Sequence, residues 1–317
     1  MKLLEVDGVS TLYSSDRGPV RAVDNVSFAL ERGEVLGIVG ESGCGKTTLA
    51  MSILRLVRPP GKIVAGRVVF EGQDLFKIPR ASMRTVRGAR IALIPQGAMN
   101  ALDPMFTAQS LVAEVIRAHR EVSRQEARAQ ASELLVSVGI PIERHGAYPH
   151  ELSGGMRQRV VIAMALANQP SMVIADEPAT GLDVIVQTRI LGLLRRLKAE
   201  LGVSMILISH DLPLVAHESD SLLVMYAGRV AEYGPAGKVA SEPKHPYTQG
   251  LLAAFPRLDG PRGEAVSIPG DIPDLVAPPP GCAFHPRCRF AFARCLDEEP
   301  KLRETDPGQH TACHLYE

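Results

Sequence analysis

Residues 34–48 read Glu34-Val35-Leu36-Gly37-Ile38-Val39-Gly40-Glu41-Ser42-Gly43-Cys44-Gly45-Lys46-Thr47-Thr48. A short β-run leads into a glycine-rich turn. From Lys46 to Val57 the pattern is helical, and Pro59-Pro60-Gly61 stops it. The turn fits G-x-x-x-x-G-K-[ST], placed between a strand and a helix as that motif requires. Glycines let consecutive backbone N–H groups wrap around phosphate oxygens, and the helix behind them points its positive end at the same place. Gly40, Ser42, Gly43, Cys44, Gly45, Lys46, Thr47 and Thr48 are therefore candidate nucleotide-binding residues. Lys46 is expected to reach the β- and γ-phosphates, and Thr47 to ligate Mg2+. Cys44 fills a variable position and reads as a small tolerated residue.

Outward from this loop, strands and helices alternate. Met172-Val173-Ile174-Ala175-Asp176-Glu177-Pro178 is a buried strand ending in acid. Asp176 is placed to hold the magnesium and Glu177 to polarise an attacking water. Gln96 follows the strand Ile91 to Ile94 and can contact metal and water. His210 follows the strand Ser204 to Ser209, where an imidazole could touch a γ-phosphate. Further strands are expected at 67–70 and 222–226. Ser123 with Glu126 forms a capping box opening a helix to about Val138. Another helix starts near Ser153 and runs to Ala167. A helix over 184–201 has Ile190, Leu194, Leu197 and Leu201 on one face. Apolar strands alternating with helices imply a parallel sheet covered on both faces.

Composition bounds the reading. The chain has 317 residues, 35 basic and 35 acidic side chains, and no net formal charge. That length can bury a sizeable core. The charge balance argues against a protein built to coat nucleic acid. The apolar run Val160 to Ala167 is far short of the roughly 20 residues of a spanning helix. Glu5 and Asp7 interrupt the start where a secretory signal would be apolar, so a cytosolic chain is expected.

At Leu152-Ser153-Gly154-Gly155-Met156-Arg157-Gln158-Arg159 the sequence resembles the signature motif of the ABC ATPase family, with Met156 where the commonest form has glutamine. The resemblance covers nearly the whole chain: the phosphate loop, Gln96, the signature, the acidic strand end, Thr180-Gly181-Leu182-Asp183, and His210, in the family's order. It implies an α/β fold: a P-loop NTPase of the ABC cassette type, with a helical signature subdomain at about 97–168 inside an ATPase domain over 1–235. It further implies that Tyr13 lies against adenine. Ser153, Gly154, Gly155 and Asp183 would serve the ATP held by a second ATPase subunit, identical or related, so that two ATPases close head to tail. A soluble ABC ATPase acting on DNA or ribosomes usually has two cassettes or a long coiled coil, and this sequence shows neither. A non-catalytic ATP-binding subunit is disfavoured by Glu177 and His210.

The texture changes after about Ala236. Residues 256–286 contain eight of the 24 prolines, which disfavour long helices and central strands, and no periodic core is evident. A Pro/Cys-rich extension over 236–317, mostly extended or looped, is expected. Cys282, Cys288, Cys295 and Cys313 crowd its end, with His285, His310 and His314 nearby. In a reducing cytosol such a group favours a metal over disulfides, and four thiolates can hold iron–sulfur or zinc; the spacing alone does not choose. His245-Pro246-Tyr247-Thr248, Ile268-Pro269-Gly270 and the segment Gly281 to Cys288 resemble the C-terminal region of dipeptide and oligopeptide importer ATPases, much of it shared with nickel importers. That likeness implies a [4Fe–4S] cluster on the four cysteines, two membrane permeases and a solute-binding protein as partners, and a place on the cytoplasmic face of the inner membrane.

Overall fold

The computed structural model describes residues 1–97, 101–254 and 267–317. Residues 256–266 of the proline-dense stretch, and 98–100 of the expected helical subdomain, lie outside the described residues. Along the chain the elements are β1 (Lys2–Ser15), β2 (Gly18–Glu31), β3 (Val35–Val39), α1 (Lys46–Ile53), β4 (Gly61–Phe70), β5 (Gln73–Asp74), β6 (Ile91–Ile94), α2 (Ala108–His119), α3 (Arg124–Ser137), α4 (Gly154–Leu166), β7 (Met172–Asp176), α5 (Val184–Leu201), β8 (Ser204–Ser209), α6 (Leu212–Glu218), β9 (Ser221–Tyr226), β10 (Arg229–Pro235), α7 (Ala236–Ser241), α8 (Pro246–Ala253), α9 (Ala293–Asp297), β11 (Arg303–Asp306) and β12 (Gln309–Thr311). They fall into two compact units: Met1–Lys77 with Ile208–Glu317, and Ile78–Leu207.

In the first unit β1 lies between β2 and β4, antiparallel to both, in the order β2-β1-β4-β5. The register shifts repeatedly along β1, and these bulges blur the two-residue period that would mark the strands in the sequence. A second set of strands carries the phosphate loop. β3 is buried over its whole length and runs parallel to β9, with Leu36 opposite Ser221 and Val39 opposite Val224. Each fully buried Leu or Ile there contributes about 1.5–3 kcal/mol. α1 stops at Ile53, short of the expected Val57, because the chain turns left-handed at Arg55, with φ +53.

The tail is better packed than its composition suggests. β10 pairs with β9, and β12 adds to β10, with Glu232 opposite Thr311. The Glu232 carboxylate is fully buried and accepts from the Lys244 N–H at 2.8 Å, the His245 N–H at 3.0 Å and Gln309 Nε2 at 2.7 Å. The rings of Tyr226, Tyr247 and Phe284 pack against one another, tilted or edge to face, with centroids 4.6–5.5 Å apart. The tail is therefore packed onto β9 and β10, the last strands of the cassette, by a cluster that follows no sequence period. Proline limits its helices to short pieces instead of abolishing them.

In the second unit β6 and β7 are parallel, from Ile91 opposite Met172 to Ile94 opposite Ala175. α2 is capped by Thr107, and α3 by the expected box, in which Ser123 and Glu126 each bond the other's backbone. Asn168 Nδ2 ties the helices down by bonding the carbonyls of Gly88 and Val115, both at 3.2 Å. α5 buries Ile190, Leu194 and Leu197, but Leu201 is 52% exposed: it is the last helical residue, before the left-handed Gly202.

Candidate functional site

The phosphate loop belongs to the first unit. Gly40 and Gly45 have φ +152 and +104, and a Cβ on them would stand 2.2 Å from the Met225 carbonyl oxygen and 2.1 Å from that of Ala22. Only glycine fits where backbone passes so close. Lys46 is 5% exposed, and its Nζ curls back to donate to the carbonyls of Gly40 at 2.7 Å and Glu41 at 2.9 Å. Burial pushes the Cys44 thiol up despite the adjacent Lys46, which keeps it neutral and agrees with a packing residue.

Two tail residues reach this loop. The Glu41 N–H donates to Tyr247 Oη at 2.7 Å, and Arg287 Nη1 and Nη2 grip the Glu41 carboxylate at 2.7 and 3.0 Å. Tyr13, also in this unit, pairs in β1 with Val20 and Gly61, and its ring lies over Gly61, where a Cβ would meet it at 2.6 Å. His210 is exposed directly after β8, beside Asp211, which caps α6 through the Leu214 N–H at 3.0 Å.

The second unit holds Gln96, Ser153 to Gly155, Asp176, Glu177 and Asp183. Asp176 is fully buried at the end of β7. Glu177 follows with φ +48, a left-handed conformation uncommon for a residue with a side chain. Its Oε2 accepts from Gln96 Nε2 at 3.0 Å and from Thr180 Oγ1 at 2.9 Å. Ser153 Oγ caps α4 by accepting from the Met156 N–H at 3.3 Å, and Asp183 caps α5 through the Val186 N–H at 2.9 Å. The starts of α4 and α5 touch: a Cβ on Gly155 would meet Val186 Cγ1 at 2.8 Å.

Cys282, Cys288, Cys295 and Cys313 are all free thiols and line one cavity of about 10 Å³ in the first unit. Burial pushes Cys282 and Cys313 up to about 11, and the neighbouring thiols add to it. The four together match the donor set of a four-thiolate cluster. As the side chains stand, however, no three or more His, Cys, Asp or Glu among the described residues are drawn together into a metal site. His314 is committed elsewhere, bonding Glu317 through Nδ1 and the Glu298 carbonyl through Nε2, both at 2.9 Å.

Residues 23–180 match the ABC transporter family, and residues 231–295 the C-terminal region of oligopeptide/dipeptide transporters. The dipeptide transport ATP-binding protein DppD of Escherichia coli is 43% identical over 99% of this chain and 97% of its own. The chain belongs to the ATP-binding subunits of peptide ABC transporters. A putative peptide import ATP-binding protein of Brucella abortus is 46% identical over 98% of this chain and 94% of its own. The ATP-binding cassette MJ0796, solved as a dimer in a post-hydrolysis state with ADP and Pi, matches with a TM-score of 0.66 and 28% identity over 74% of this chain and 98% of its own.

This peptide-transporter ATPase holds its phosphate loop with residues that sequence reasoning missed. Tyr247 and Arg287 both sit in quoted tail motifs, which marked their neighbourhoods. No spacing rule joins them to Glu41, 206 and 246 positions away. No helix among the described residues is long and apolar enough to cross a membrane.

Proposed function

We propose that this ATPase energises the uptake of dipeptides or oligopeptides. Glu177 carries the mechanistic reading: it directly follows a buried strand, in a left-handed conformation, with its carboxylate oriented by Gln96 and Thr180. A carboxylate so held is equipped to polarise a water for attack on a γ-phosphate. The N–H groups of Gly40 to Thr48 and the Lys46 ammonium hold the phosphates. Thr47, Gln96 and Asp176 hold Mg2+, Tyr13 stacks on adenine, and His210 contacts the γ-phosphate. Ser153, Gly154, Gly155 and Asp183 serve the nucleotide of a second ATPase subunit. The dimeric state of MJ0796 with ADP and Pi supports that arrangement. Functionally the chain divides into a cassette over 1–235, with its helical subdomain at about 97–168, and a tail over 236–317.

The names of the relatives support the cargo class. Cargo selection belongs to a solute-binding protein and two permeases, which would hold this subunit at the cytoplasmic face of the inner membrane. The expected test is Glu177→Gln: phosphate release falls by about 100-fold or more while ATP still binds. Hydrolysis at the native rate would remove Glu177 from this role.

Cys282, Cys288, Cys295 and Cys313 are the ligands in this reading of a [4Fe–4S] cluster, supported by their convergence on one cavity. Bound there, it would cross-link the tail and supply folding free energy. Stoichiometric iron and acid-labile sulfide in protein purified without oxygen, both lost in Cys288→Ser, are expected. Zinc or unligated thiols in their place would overturn the cluster.

A further inference from the structure

Glu41 stands inside the phosphate loop, and two of its three polar groups are held from the tail. Its carbonyl accepts from Lys46 Nζ. Its N–H donates to Tyr247 Oη, and its carboxylate takes the two-pronged grip of Arg287. The Arg287 side chain is 4% exposed and that of Glu41 24%, so water screens the pair poorly. Arg287 belongs to the segment that carries the four cysteines, residues 267–317 (the cysteine lobe): its Nε donates to the Pro269 carbonyl of that lobe at 2.9 Å, while Nη1 lies 3.5 Å from Tyr226 Oη at the end of β9. Arg287 also closes the turn ahead of Cys288, its N–H bonding the Phe284 carbonyl at 3.0 Å. A bidentate guanidinium–carboxylate pair tolerates little misplacement. Movement of the cysteine lobe therefore has to move Glu41 or strand a buried guanidinium, and movement of the loop must be felt by the lobe.

We infer that Arg287, assisted by Tyr247, is a positioning residue for the phosphate loop, and that through it the cysteine lobe and the nucleotide site form one coupled unit. This rests on the phosphate loop's being the nucleotide site. Such coupling is reciprocal: an ordered lobe favours nucleotide binding, and bound nucleotide orders the lobe by the same factor.

The test uses the full chain with Mg2+ and the non-hydrolysable analogue β,γ-imido-ATP. Amide hydrogen exchange is expected to slow in peptides covering 282–288 as well as in those covering 40–48. Protection confined to 40–48 overturns the coupling. Arg287→Met is expected to weaken analogue affinity about tenfold and to abolish the tail's protection. Glu41→Gln is expected to do likewise, and the double variant to be no weaker than either single one. A tail that merely adds stability would give additive losses. Unchanged affinity in Arg287→Met overturns the inference. Should that variant fail to fold, Arg287→Lys, which keeps the charge and loses the fork, replaces it, and the wild-type exchange result decides by itself. Lys46→Ala separates the two readings: about 100-fold weaker binding upholds the nucleotide site, and normal binding brings down that assignment rather than the coupling alone.

Discussion

α1 and α4 both begin among glycines, yet they are different devices. α1 starts after Gly45, at φ +104, with no side-chain cap, and its first residue, Lys46, is buried across the loop. Two remote carbonyls, those of Ala22 and Met225, crowd the glycines from outside. α4 starts after Ser153, a conventional cap whose oxygen takes the Met156 N–H, and Ser153 is exposed. The first construction is a backbone pre-shaped by its neighbours. The second is a helix end fixed by its own cap and left open to solvent. One helix start therefore depends on tertiary crowding, and the other on a cap within four consecutive residues.

The largest expected effect that could break this contrast is Gly45→Ala. The added Cβ meets the Ala22 carbonyl in a left-handed backbone, and unfolding by denaturant should show a loss of about 4 kcal/mol. Gly43→Ala serves as its partner: φ is +82, but no atom lies within 4 Å of the added carbon, so about 1 kcal/mol of backbone strain is expected. Equal losses at the two positions would show that crowding does not shape the loop.

α8 offers a third kind of helix start and the next largest effect. Its cap is His245, whose Nδ1 accepts the Tyr247 N–H at 3.0 Å, and this requires an unprotonated Nδ1. Burial lowers the His245 pKa from 6.5 to about 4. The unfolded chain therefore takes up the proton near pH 6.5 and the folded chain only near pH 4. This contribution is intact above pH 6.5 and is lost as pH falls toward 4, by at most about 3 kcal/mol. Comparing unfolding free energy across that window with His245→Asn isolates it, and parallel profiles would refute it. The smallest effect is at the presented helix: Ser153→Ala should cost about 1 kcal/mol. A loss as large as that of Gly45→Ala would erase the distinction between the two starts.

Much of the site could be read before the fold was known, because its signals are local. The Ser123–Glu126 box, the Ser153 cap and the acidic end of β7 each depend on residues within about one helical turn or strand. The helix over 184–201 was legible from its apolar spacing, apart from Leu201, since a periodic pattern does not reveal where the last turn meets solvent. The first two strands escaped because their bulges scramble the alternation that identifies strands. The packing of the tail onto the cassette escaped because its members, Tyr226 and Glu232 on one side and Tyr247, Phe284 and Gln309 on the other, share no period and meet only in space.

The amino-acid sequence by itself determined the phosphate loop, the acidic strand end, the signature helix start and the four-cysteine group. These rest on residue type and short spacing, which the backbone translates directly into turns, caps and strand ends. Only the tertiary structure decided that Arg287 grips Glu41, that Tyr247 holds the same residue's N–H, and that β12 extends the sheet beside β10. Contacts between residues so far apart along the chain follow from how whole elements pack, and no local pattern encodes them.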